Sequence, residues 1–150
     1  MNKSPRLARN VAEVVLKLTR ASNYALHAVE YMAALGQDRP VASHHIALAR
    51  GIPEGFLVKV LRPLVAARLL RSVKGPHGGY RLARPASKIS LLEVVEAVEG
   101  PIRGQAPLAQ DPGREAGAFD ARLEAVCDRA AQMLRNRLGK VRLSDLVSDN

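Results

Sequence analysis

The sequence predicts a mainly helical fold with one small β-hairpin: a winged helix-turn-helix followed by a long C-terminal helix. Three observations carry that expectation. Apolar residues recur at spacings of three and four in successive stretches separated by Gly and Pro. Two short strand-like runs, Leu70 to Lys74 and Tyr80 to Arg84, flank a glycine-rich tip directly after the third such stretch. A single amphipathic run of about 20 residues then closes the chain.

From Ser22 to Leu35, the residues Ala25, Ala28, Met32 and Leu35 form the stripe of a first helix, ended by Gly36. After the turn Gln37-Asp38-Arg39-Pro40, Ser43 is placed to cap a short second helix through Ala49, with Gly51 as its stop. Pro53 suits the first position of a third helix, where a missing N–H has no intrahelical partner to lose. That helix is expected to run towards Leu69 or Leu70. Leu57, Val60, Leu61 and Leu64 lie on one side of it, and Gly55, Lys59 and Arg62 on the other. Pro63 falls inside it, removes one hydrogen bond and disfavours a helical Arg62, so a kink or an early end is expected there.

The segment Gly75-Pro76-His77-Gly78-Gly79 reads as the tip of a wing, because glycine tolerates the positive φ angles of a tight hairpin. Ser90 with Glu93 forms a capping box that opens a fourth helix over Leu91 to Val98, stopped by Gly100-Pro101. Residues 100–118 hold four glycines and three prolines, which marks a loop. Beyond it Phe119, Leu123, Val126, Ala130, Leu134 and Leu138 repeat at helical spacing, with Arg122, Asp128, Arg129 and Arg135 mostly opposite. Such a helix needs a surface to cover it. Folding back on its own domain is one solution, and pairing with a second chain, the reading preferred here, is the other. The expected organisation is therefore an extension over 1–17, a winged helix-turn-helix over 18–100, a Gly/Pro-rich loop over 101–118 and a dimerisation helix with its C-terminal close over 119–147. In the extension, Lys3, Arg6 and Arg9 precede the first acid, Glu13; a flexible phosphate-binding arm, a tag and an over-long start are three readings of it.

The 150 residues carry 23 Lys and Arg against 14 Asp and Glu, a formal charge of +9 that favours a polyanionic partner. Nucleic acid leads and a membrane surface follows. Cys127 is the only cysteine, so neither an intrachain disulfide nor a thiolate-built metal site is available to one chain, and a reducing cytosol is the expected home. No apolar run approaches the roughly 20 residues that cross a bilayer. The chain offers no phosphate loop, no Ser–His–Asp set and no convergent carboxylates near a glycine-rich turn, which argues against an enzyme.

In a winged helix-turn-helix the third helix enters the major groove, while first-helix and wing residues meet phosphates or the minor groove. The candidate DNA-binding residues are accordingly Thr19, Arg20, Ser43, Gly55, Phe56, Lys59, Arg62, Arg71, Ser72, Lys74, His77, Gly78, Gly79 and Arg81, with Arg84 in the same basic cluster. Phe119, Leu123, Val126, Ala130, Leu134 and Leu138 are the candidate dimer interface. An aromatic content of 3% argues against single-strand binding, which relies on stacked bases. A protein-interaction or RNA-binding module on the same scaffold is the alternative. Bland readings win elsewhere. Cys127 sits in the apolar register beside Val126 and reads as a small hydrophobe, His27, His44, His45 and His77 are scattered with His44 and His45 pointing different ways, and Glu93, Glu96 and Glu99 read as a solvated face.

Several blocks resemble Rrf2-type regulators: Leu18-Thr19-Arg20-Ala21-Ser22-Asn23-Tyr24-Ala25-Leu26, Gly51-Ile52-Pro53, Leu57 to Leu64, and Ser72 to Leu82 with its Lys74-to-Tyr80 wing. Ser90 to Gly100 and Leu143-Ser144-Asp145-Leu146-Val147 are similar to the family's later segments. The resemblance implies a homodimer that sets two wings on one duplex, acting as repressor or activator, and control of tasks such as iron–sulfur assembly, nitrosative stress or cysteine metabolism. Many members sense through a cluster held by three cysteines in the loop before the long helix. This loop has none: Ala121 stands near the last ligand's place, Cys127 falls about two turns later on the helix, and Asn23 stands where some cluster-bearing members offer a carboxylate. No cofactor is therefore expected. Arg68 replaces a glycine usual in the family, and Val58 a polar base-reading residue.

Overall fold

The computed structural model describes residues 18–36, 39–106 and 114–147. Its elements are α1 (Arg20–Leu35), α2 (Ser43–Arg50), α3 (Glu54–Ala66), β1 (Leu70–Val73), β2 (Gly79–Leu82), α4 (Leu91–Glu99) and α5 (Arg114–Lys140), with 3-10 turns at Ala86–Lys88 and Leu143–Asp145. The expected extension over 1–17 lies outside the described residues.

Helix α1 starts two residues before the expected Ser22, because Thr19 is extended and its Oγ1 accepts the Ser22 N–H at 3.2 Å. It buries Ser22, Ala25, Ala28, Val29 and Met32, and it touches α2, α3 and α4. At α2 the expected cap is corrected. Ala42 holds the N-cap place and Ser43 is the first helical residue. The cause lies upstream, where Val41 and Tyr80 exchange two backbone hydrogen bonds of 2.8 Å each and so fix the chain one residue short of the helix. Pro53 likewise occupies the N-cap of α3 instead of its first turn.

Pro63 does not end α3, which continues to Ala66, three residues short of the expected Leu69, and the Ala67 N–H bonds the Pro63 carbonyl at 2.9 Å. Arg68 then adopts a left-handed backbone with φ 59°. That conformation is one that glycine takes without steric cost, which accounts for the glycine expected at this position. The hairpin pairs Leu70 with Leu82, Arg71 with Arg81, Ser72 with Tyr80 and Val73 with Gly79. Its strands are shorter than expected, leaving Lys74 and Arg84 outside them. Leu70 and Leu82 are buried, and they join a core of Val29, Met32, Ile46, Leu57, Leu61, Leu64, Ile89 and Val94.

Helix α5 begins at Arg114, five positions before the first residue of its expected stripe, so helix replaces the last part of the loop expected over 101–118. Gly117 lies inside it; one helical glycine costs about 1 kcal/mol relative to alanine, too little to break 27 residues of helix. After α5 the chain returns to the domain. The Leu91 N–H bonds the Val141 carbonyl at 2.9 Å, the Leu143 N–H bonds the Ile89 carbonyl at 2.8 Å, and Leu143 is buried.

The capping box of α4 is present: Ser90 Oγ accepts the Glu93 N–H at 3.1 Å, and Glu93 Oε2 accepts the Ser90 N–H at 2.8 Å. Glu93 Oε1 also takes Arg84 Nη2 at 2.6 Å, which ties the exit of the hairpin to the start of α4. Burial raises the Glu93 pKa, but the hydrogen bonds and charge of Arg84 together with the Ser90 bonds outweigh it, so the carboxyl lies below its usual value. A depressed carboxyl pKa stabilises the fold above the unfolded-state value, about 4.3, and that contribution is lost as pH falls through the folded value. In thermal melts, Glu93→Gln is therefore expected to lower Tm at neutral pH, with the difference from wild type closing as pH falls below about 4.

Candidate nucleic-acid interface

Helix α3 divides into two faces. Leu57, Val60, Leu61 and Leu64 are buried, while Gly55, Phe56, Lys59 and Arg62 are exposed and Val58 is half-buried. Phe56 meets Tyr24 edge-on, with ring centroids 6.2 Å apart, and Lys59 Nζ stands 5.6 Å from the Phe56 ring centroid. This cation–π placement holds a lysine on the outer face of the helix. A Cβ added at Gly55 would meet nothing within 4 Å, so packing within the chain does not require glycine there.

The wing sits against the entry of α2. Gly78 and Gly79 have steric reasons to be glycine: a Cβ on Gly78 would fall 2.2 Å from the Val73 carbonyl oxygen, and one on Gly79 would fall 2.2 Å from that of Val41. Lys74, His77, Arg71 and Ser72 are exposed, and Arg81 is half-buried. Arg71 and Arg81 are direct cross-strand partners, a like-charge pairing that costs stability unless something anionic lies near. Arg84 departs from the expected cluster. Its guanidinium bonds Glu93 and, at 3.0 Å, the Lys88 carbonyl, so it serves the fold. From Gly55 to Leu92 every charged side chain is cationic, with Glu54 and Glu93 just outside the stretch.

The remaining expected positions are placed less uniformly. Arg20 is exposed on the first turn of α1. The Thr19 hydroxyl caps that helix and donates to Glu99, which also accepts the buried Ser22 hydroxyl at 2.6 Å. Ser43 Oγ donates to Glu54 Oε1 at 3.4 Å, between the starts of α2 and α3. Sequence reasoning passed over Arg39, His44 and His45, which line one concavity with His77. The rings of His44 and His45 do not point apart, since their centroids are 4.1 Å from each other. The signal in the chain is a His-His pair in a first helical turn; its meeting with the wing tip comes from the Val41–Tyr80 pairing.

The stripe of α5 is also divided. Phe119, Leu123, Val126 and Ala130 are exposed, with Phe119 at 57% and Val126 at 52%. Leu134 and Leu138 instead face their own domain, where they line a small cavity with Leu18, Ser22, Val95 and Ile102. Arg135 pairs with Glu96 beside them, and Glu96 Oε1 accepts the Ile102 N–H at 3.0 Å; Glu96 is thus a half-buried bonded group, while Glu99 is exposed and also hydrogen-bonded.

A thiolate-held iron–sulfur cluster needs several cysteines. The chain has one, Cys127, half-buried on α5, and no group of three or more His, Cys, Asp or Glu among the described residues converges on a metal-binding geometry. These residues do not fit such a group. No helix among the described residues is long and apolar enough to cross a membrane.

A family model described as Rrf2, an iron-dependent transcriptional regulator, matches residues 18–149. The chain is 44% identical over 84 residues to protein aau3 of Rhizobium meliloti, covering 56% of this chain and 54% of that one. It is 35% identical over 121 residues to the HTH-type transcriptional regulator BadM of Rhodopseudomonas palustris, covering 81% and 77% of the two chains. The match thus spans about half the length of the first of these relatives and three quarters of the second. In fold the chain is similar to CymR, the global cysteine regulator of B. subtilis, with a TM-score of 0.69 at 23% identity over 90% of this chain and 100% of that one.

The glycine geometry gives a paired expectation. Gly79→Ala forces a Cβ into the Val41 carbonyl and is expected to cost at least about 2 kcal/mol in denaturant unfolding, with faster amide exchange at Val41 and Tyr80. Gly55→Ala, which meets open space, is expected to leave stability unchanged or slightly raised.

Proposed function

The chain belongs to the Rrf2 family of transcriptional regulators, which are not enzymes, and from that premise we propose that it binds operator DNA of defined sequence as a homodimer. One observation carries the reading: the exposed side of α3, with Lys59 and Arg62, and the wing that follows both fall within one run of sequence, Gly55 to Leu92, whose only charges are cationic. In this assignment Gly55, Phe56, Lys59 and Arg62 approach base edges in the major groove, and Arg71, Ser72, Lys74, His77 and Arg81 meet the phosphate walls. Arg20 and Ser43 flank that surface. Gly78 and Gly79 shape the wing, and Thr19 sets the start of α1.

Homodimerisation is supported by the exposed apolar half of α5, Phe119, Leu123 and Val126, which its own domain leaves uncovered. In the same assignment Leu134 and Leu138 hold the root of the helix to its own chain. We propose further that this member works without an iron–sulfur cluster of its own, since one cysteine per chain cannot supply the thiolates. The reducing cytosol suits such a regulator.

Binding to duplexes selected from a random pool tests the reading. Affinity is expected to fall by roughly a thousandfold or more between about 50 and 200 mM salt, with two chains bound per site. Lys59→Ala is expected to change which sequences are preferred, whereas Lys74→Ala weakens all of them about equally. Salt-insensitive binding, or no duplex selected above background, would reject it.

A further inference from the structure

A concavity of about 540 Å³ lies between the first turn of α2 and the tip of the wing, lined by Arg39, His44, His45 and His77 together with Pro40 and Gly78. We propose that it seats one backbone phosphate of the duplex, and that protonation of its three imidazoles couples DNA affinity to pH. The inference rests on the DNA-binding reading and adds to it Arg39, His44 and His45.

Four features converge on this assignment. The lining is chemically one-sided: a guanidinium and three imidazoles, with no carboxylate among the described residues that form it. The three histidines are exposed, so each reaches a ligand arriving from solvent. The seat is preformed, because the two Val41–Tyr80 backbone bonds hold the wing against the residue that precedes α2, and neither Gly78 nor Gly79 has room for a side chain. The seat also adjoins the basic face, with Lys74 on the same hairpin tip and Ser43, beside His44, bonded to Glu54 at the first turn of α3.

Imidazole is the side chain that changes charge between about pH 5 and 8. The ring centroids of His44 and His45 lie 4.1 Å apart, close enough for one phosphate to meet both rings. An imidazolium attracts a phosphate more strongly than a neutral imidazole does, so a phosphate seated among these rings favours their charged form. Linkage then requires tighter binding at lower pH. The charged groups around the seat are Arg39 on the entering loop, Lys74 on the wing, and Glu54 on α3. Among the described residues Glu54 is the one acid of this set, and its carboxylate accepts from Ser43, on the α3 side of the turn.

The test uses the full chain and a fluorescent mixed-sequence duplex of about 30 base pairs at constant low ionic strength, because a phosphate seat is indifferent to sequence. Wild type is expected to bind about tenfold tighter at about pH 6 than at about pH 8. The triple variant H44Q/H45Q/H77Q, its fold checked by circular dichroism, is expected to change less than about twofold over that range, while keeping His27 as an internal control. Arg39→Gln is expected to weaken binding at both pH values with the slope retained. A flat wild-type profile, a triple variant that keeps the full slope, or histidine NMR signals that move with inorganic phosphate but not with the duplex would overturn the phosphate seat and leave the DNA-binding reading standing. No binding of any duplex at low salt would overturn both.

Discussion

Helix α3 must do two incompatible things, and its 3.6-residue period is what reconciles them. Leu57, Leu61 and Leu64 are fully buried, and each contributes about 1.5–3 kcal/mol by leaving water. Gly55, Lys59 and Arg62 fall on the opposite side of the same cylinder. Rotating the helix to hide the cations would expose the leucines, a loss no surface ion pair matches. The outward set of Lys59 and Arg62 is therefore imposed by the core, through α1 and α4, and only then trimmed by local contacts such as that of Lys59 with Phe56.

The wing follows from the same economy of contacts. A two-stranded hairpin is marginal alone. Here one end is pinned by buried Leu70 and Leu82, the other by the Val41–Tyr80 bonds, and the exit by Arg84 on Glu93. These ties leave Arg71 facing Arg81 across the strands, a repulsive pair held in place by the rest of the fold. Pinning the wing to the segment before α2 also brings the histidines of α2 next to the tip, so the reading surface extends past the recognition helix.

Periodicity and caps made much of this legible in the chain itself. The two faces of α3, the hairpin and the Ser90–Glu93 box are local patterns, and each is present where the residues place it. What escaped was long-range. Ser43 loses its capping place where Val41 pairs with Tyr80, and Arg84 is drawn from the basic cluster by Glu93 on the next helix. Periodicity names a residue's face but not its partner. The α5 stripe shows this most plainly, since Leu134 and Leu138 share a register with Phe119 and Val126 yet face their own domain. Glycine and proline density extends the expected loop to 118, but Gly117 lies inside α5, where the context of a long helix outweighs one glycine.

Hydrogen–deuterium exchange with and without a selected duplex addresses the central claim most directly, because it asks where on the chain DNA lands. Slowed exchange over Gly55–Arg62, Arg71–Arg81 and the first turn of α2, with Phe119–Val126 indifferent to DNA, is the expected pattern. Protection absent from α3, or concentrated on α5, would contradict the assignment of a single DNA-reading edge.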